Sequence, residues 1–204
     1  MISFENFSSL IPFYLLGCFP TGVFVAKLYG VSITKQGSKN VGATNVARVV
    51  GKKAGIITLL GDMLKGIVGV LIAKQVFKQV FSLEIMIAAA SFCVVAGHCL
   101  SLPPFLKGGK GVATSLGALG MLAPLAALSA LVVFIISFLC SKIVSLSSIL
   151  AAIAAVICAY IFESSEPSFH AVVLIATLII ARHYENISRL LTGTEGQFKI
   201  AGKI

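Results

Sequence analysis

Residues 113 to 140 read ATSLGALGMLAPLAALSALVVFIISFLC, 28 positions without a charged side chain. A helix crosses the bilayer core with about 20 apolar residues, within a range of roughly 17 to 25. The block is therefore longer than one crossing needs, and Pro124 stands near its middle. Proline lacks a backbone N–H and its ring crowds the preceding turn, so it ends or kinks a helix. Either two short helices meet at Pro124, or one long tilted helix is kinked there. The charges on either side decide which.

Of the 204 residues, 58% are hydrophobic and only 11% charged, where a soluble domain carries roughly 25% charged residues. The chain reads as an all-α polytopic membrane protein, with a single domain over residues 1 to 204. Polar sequence interrupts the apolar blocks at 31–53, 74–82, 101–111, 141–142 and 163–168, and a polar tail begins at Arg182. The formal net charge is +9, but the basic residues fall between apolar blocks. That is positive-inside patterning, with attraction for anionic substrates and membrane lipids, and it gives no support to nucleic-acid binding.

Lys35, Lys39, Arg48, Lys52 and Lys53 crowd the first break, Lys107 and Lys110 the third, and Arg182, Arg189, Lys199 and Lys203 the tail. These three regions belong on the cytoplasmic face, and the acidic ESSEPS at 163–168 on the other. Residues 8–30 then enter the cytoplasm, 54–73 leave it and 83–100 return. The blocks 113–140, 143–162 and 169–181 must cross an even number of times to bring the tail back inside. Splitting the first at Pro124 does so, giving seven helices, with the N-terminus outside and the C-terminus inside; the kinked alternative leaves five. Cys18, Cys93, Cys99, Cys140 and Cys158 lie in or beside apolar blocks without a CxxC, and read as small buried hydrophobes. MISFENF has no basic n-region, so the first block does not read as a cleaved signal peptide.

Three cytoplasmic stretches carry chemistry. In GSKNVGATNVAR, Gly37 to Arg48, the side chains of Ser38, Asn40, Thr44 and Asn45 offer neutral hydrogen-bonding groups. Gly37 and Gly42 permit a tight backbone, and Arg48 can grip a phosphate with two parallel N–H bonds. A plain helix-capping turn would use similar residues, but not at this density. In LKGGKGVAT, Lys107, Gly108, Gly109, Lys110 and Gly111 combine positive charge with a backbone able to point N–H groups at an anion. It is no Walker A loop, because Gly111 follows Lys110 where Ser or Thr is required. A helix starting near Val112 would add its N-terminal dipole. In RHYENISRLLTGTE, helical spacing places Arg182, Asn186 and Arg189 near one face, with His183 beside them. A neutral His next to an Asn can orient or deprotonate a hydroxyl. Glu195, past Gly193, reads as a tether. His98, at a helix end, reads as a hydrogen-bonded structural residue, and Asp62 and Lys65, three apart within an apolar block, as an ion pair.

With these motifs the chain resembles the acyl-phosphate:glycerol-3-phosphate acyltransferase family (PlsY) over essentially its whole length. GSKNVGATNVAR matches the first family motif, GH followed nine residues later by KGGKGVAT the second, and RHYENISRLLTGTE the third. It departs from the usual pattern at Leu100-Ser101, Leu106 and Tyr184. The resemblance implies transfer of a fatty acyl group from acyl phosphate to the 1-hydroxyl of glycerol 3-phosphate. Lysophosphatidic acid and inorganic phosphate would result, in the first acylation of phospholipid synthesis. It implies essential roles for Ser38 and Arg48 at phosphate, a glycerol-phosphate cradle from Lys107 and residues 108–111, and completion of the site by His183 and Asn186. Glu195 would be structural. It also implies no metal or cofactor, a bacterial inner-membrane location, and contact with the enzyme that makes acyl phosphate.

Rivals fare worse. The H-x-x-x-x-D pattern of acyl-CoA acyltransferases is absent at His98, His170 and His183, and the single aspartate excludes an aspartate-cluster phosphotransferase. A small organophosphate transporter would place its polar groups near the midplane and show internal symmetry, and neither is visible.

Overall fold

A computed structural model describes residues 8–78, 82–102 and 108–199. These form an all-helical bundle: α1 (Ile11–Cys18), α2 (Thr21–Leu28), α3 (Ala43–Val49), α4 (Lys52–Val76), α5 (Leu83–Leu100), α6 (Val112–Leu122), α7 (Pro124–Ser141), α8 (Val144–Phe162), α9 (Glu166–Ala181) and α10 (Tyr184–Leu191). The uncharged block does break at Pro124. α6 ends at Leu122 and α7 begins on the proline, where the missing N–H costs no intrahelical bond.

Among the described residues, five segments are long and apolar enough to cross a membrane: Ile11–Leu28, which joins α1 and α2 across Phe19-Pro20, then α4, α5, α7 and α8. A sixth is obtained if α9 and α10, bent by 60°, count as one span. The expected count of seven is not reached on length, because α6 has only 11 residues, about 16 Å at 1.5 Å per residue. Two boundaries also differ from the sequence expectation. α9 starts at Glu166, inside the stretch read as a loop, since Pro167 sits in the first turn, where N–H groups have no helical partner. The first break contains a helix of its own, α3.

Leu125, Leu128, Ile135, Ile136 and Leu139 of α7 remain exposed, as expected of a lipid-facing surface. Inside, a core including Val70, Met86, Val94, Val95, Val172 and Ile175 joins α4, α5 and α9. Several hydroxyls of the spans bond within their own helices: Thr58 Oγ1 donates to Ala54 O at 2.9 Å, and Ser148 Oγ to Val144 O at 2.8 Å.

Helix association in lipid depends on close van der Waals packing rather than on the hydrophobic effect. Two reciprocal glycine crossings supply it. On α4 and α6, a Cβ at Gly66 would clash with the Thr114 carbonyl oxygen, and one at Gly117 with the Met63 carbonyl oxygen. α1 and α5 repeat the arrangement, with Gly17 against Val94 O and Gly97 against Tyr14 O. Gly120, also on α6, has open space where a Cβ would go. Gly66→Ala and Gly117→Ala should each destabilise the protein by roughly 1–3 kcal/mol in detergent thermal unfolding. Gly120→Ala should be neutral, or stabilising by roughly 0.5–1 kcal/mol from helix propensity.

Candidate active site

The first loop is organised by one buried side chain. Asn45, on α3, accepts from the Ser38 N–H at 2.9 Å through Oδ1, while Nδ2 donates to Gln36 O at 3.1 Å and Asn40 O at 2.8 Å. Gly37 sits above it at φ +59°, and a Cβ there would collide with the Asn45 amide. Asn40 Oδ1 accepts from the Gly42 N–H at 2.8 Å, closing the turn that leads into α3. Asn45 thus holds the loop that presents Ser38, while Thr44 and Arg48, four residues apart on α3, share one helix face. All three line the cavity described below.

The glycine segment packs on the end of α5. Gly109 N–H donates to His98 O at 2.8 Å, and a Cβ on Gly108 would strike Cys99 O, one on Gly109 the His98 ring. The glycines here are required by this close approach of chain to chain, a reason the motif alone does not reveal. Gly111, at φ +83°, caps α6, which starts at Val112 as the sequence predicts. Lys107 and Leu106 lie outside the described residues. Arg182 holds the segment from the other side, Nε donating to Gly109 O at 3.2 Å and Nη2 to Gly108 O at 3.4 Å.

The third motif is not one helical face. α9 ends at Ala181 and α10 begins at Tyr184, so the bend turns Arg182 toward the glycines. Asn186 and Arg189 turn instead toward Glu195. Glu195 Oε1 accepts from Ser145 Oγ and from Asn186 Nδ2, each at 2.6 Å, and Oε2 from Arg189 Nε at 2.6 Å. Burial alone would raise the Glu195 pKa, but these donors outweigh it and hold the carboxyl below its ordinary value. With Nδ2 committed to Glu195, Asn186 presents Oδ1, which accepts from Lys110 Nζ. Burial lowers the Lys110 pKa to about 8, against the opposing pull of Glu195.

His183, at the bend, is 2% exposed, and its Nδ1–H donates to Ile179 O at 2.7 Å. That bond fixes the tautomer and leaves Nε2 as an acceptor. Burial lowers the His183 pKa to about 4, so the ring is neutral at pH 7.

Asp62, Lys65 and His98 form a buried cluster beneath the glycine segment. Lys65 Nζ lies 2.9 Å from Asp62 Oδ1 and 2.7 Å from His98 Nδ1, and donates to Phe19 O at 3.1 Å in the break between α1 and α2. Ser145 is a participant that sequence reasoning does not name, while His98 holds the hydrogen-bonded helix-end position expected of it and Arg182 turns to the glycines rather than to the face of Asn186. Ser145 carries no signal in the sequence.

These groups surround one end of a cavity of about 700 Å³. Ser38, Arg48, Lys110, His183, Asn186 and Glu195 line its polar end, and its remainder is walled by apolar side chains of α6, α7, α8 and α9. Such a site can neutralise an anion, orient a hydroxyl with a neutral imidazole, and shelter an aliphatic chain beside them. Among the described residues, no three His, Cys, Asp or Glu side chains converge as metal ligands.

Comparison with known proteins agrees with this picture. A family model for glycerol-3-phosphate acyltransferase matches residues 7–193. The glycerol-3-phosphate acyltransferase of Trichlorobacter lovleyi is 46% identical over 91% of this chain and 94% of its own. That of Syntrophotalea carbinolica is 45% identical over 93% and 96%. Crystal structures of PlsY, an integral membrane glycerol 3-phosphate acyltransferase, cover 96% of both chains at 39% identity. The TM-score is 0.86 for its glycerol 3-phosphate form and 0.85 for its lysophosphatidic acid form. On sequence, fold and near-complete coverage together, this integral membrane chain belongs to the glycerol-3-phosphate acyltransferase family.

Proposed function

We propose that the protein transfers a fatty acyl group from acyl phosphate to the 1-hydroxyl of glycerol 3-phosphate, releasing lysophosphatidic acid and inorganic phosphate. The carrying observation is that one cavity joins a basic, hydrogen-bonding end to an apolar interior. An amphiphilic phosphate needs both.

Arg48 and Lys110 neutralise the two anionic groups, while Ser38 and the N–H groups at the start of α6 hydrogen-bond them and bring them together. Asn45, Gly37, Asn40 and Gly42 hold the first loop, and Gly108, Gly109 and Gly111 the second. The hydroxyl oxygen attacks the acyl carbonyl carbon, the tetrahedral centre collapses, and the bond from carbonyl carbon to anhydride oxygen breaks. Phosphate departs with the electron pair. His183 Nε2 accepts the hydrogen bond of the attacking hydroxyl and aims it. With a pKa of about 4 the ring is a poor proton store, so the proton passes to a phosphate oxygen of the donor. Activation is already present in the mixed anhydride, so the residues need only position and stabilise charge. On this reading α6 is a short crossing that brings the total to seven, and the site faces the cytoplasm from the inner membrane. There the enzyme that makes acyl phosphate can hand over its product.

Purified protein given labelled glycerol 3-phosphate should form lysophosphatidate with palmitoyl phosphate, without added metal, and not with palmitoyl-CoA. Product from the CoA ester alone would overturn the donor assignment. No product from either, with counterflow of glycerol phosphate in proteoliposomes, would make the protein a transporter. The pH dependence gives a second check. Lys110 is cationic below about pH 8 and loses its charge as the pH rises through that value. KM for glycerol 3-phosphate should therefore rise above about pH 8, with kcat little changed, and Lys110→Met should abolish that limb.

A further inference from the structure

The apolar part of the cavity has a definite depth along the helices that line it. On α8 the lining runs from Val144 to Ala155 and stops, although the helix continues to Phe162. On α6 it stops at Leu119, on α7 it extends no further than Ala127, and on α9 no further than Ile175. These four residues are the last that line the cavity on their four helices. All are buried, at 5% exposure or less. Past them Ala126, Ala159 and Val172 of these helices, and Ala123 at the junction of α6 and α7, belong to the packed core, each 2% exposed or less. From Val144 to Ala155, α8 rises about 16 Å.

We infer that Leu119, Ala127, Ala155 and Ile175 form the stop that sets the acyl-chain length the enzyme accepts. The inference rests on the acyl-donor reading above, and it commits the recess to one occupant. The polar end neutralises a phosphate, so the group continuous with that phosphate and reaching inward is an aliphatic chain. Two of the four stop residues are alanines, so the depth is fixed by absent side-chain volume. Adding methylenes there shortens the recess, because a packed core has no spare space to receive them. Truncating Leu119 deepens it.

The test is the profile of kcat/KM over acyl phosphates from octanoyl to stearoyl, on the full-length protein in detergent. Ala127→Leu and Ala155→Leu should shift the optimum toward shorter chains, lowering the ratio of palmitoyl to decanoyl activity by roughly tenfold, the discrimination expected of one or two methylenes in an apolar pocket. KM for glycerol 3-phosphate should be unchanged. Leu119→Ala should shift the profile the other way, and it remains informative if a leucine variant fails to fold. An active wild type whose length profile none of the folded variants alters overturns the stop. A uniform loss at every chain length does the same. Failure of the wild type to use acyl phosphate of any length overturns the donor reading itself, and the stop with it.

Discussion

The Glu195 carboxylate is the interaction on which the arrangement of the site depends. Its two oxygens gather Ser145 from the start of α8 and both Asn186 and Arg189 from α10, all at 2.6 Å. The consequence travels one residue further. An amide has one acceptor and one donor end, and Glu195 can only accept. Asn186 must therefore turn its oxygen away, toward Lys110, which fixes a lysine of the second motif by means of a glutamate of the third. Beyond Glu195 the chain is also tied back, with the Phe198 N–H donating to Lys142 O at 2.8 Å.

Around that centre the labour is divided by residue type. Small residues let the spans approach, as at Gly66 and Gly117, and let the glycine segment lie on the end of α5. Neutral amides hold loops: Asn45 has its side chain wholly engaged by the first motif and leaves Ser38, Thr44 and Arg48 to face the cavity. Buried charges are compensated by one another, with Lys65 meeting Asp62, His98 and the open carbonyl of Phe19 at a helix break.

Much of this was legible in the sequence wherever a local rule acts alone. Pro124 broke the long apolar block because proline can begin a helix and not continue one, and Gly111 preceded a helix start at Val112. Reading failed where tertiary contacts choose between local options. The bend at Arg182 and His183 carries no proline or glycine, and helical periodicity continues through it, so Arg182 appeared to share a face with Asn186. The glycines of the second motif looked made for a ligand, yet Cys99 and His98 account for the space they vacate. Asn45 could not be told from Asn40 or Thr44 by composition, because only its burial makes it the hub.

The relay from Glu195 through Asn186 to Lys110 makes a prediction about coupling. A double-mutant cycle on KM for glycerol 3-phosphate, with Glu195→Gln, Asn186→Ala and the pair together, tests it most directly. If Glu195 acts by orienting Asn186, each single substitution raises KM by roughly tenfold, about 1.4 kcal/mol, and the double variant is no worse than the weaker single. Additive losses, with the double variant impaired by the product of the two, would contradict the relay and leave Glu195 as a tether of the tail alone.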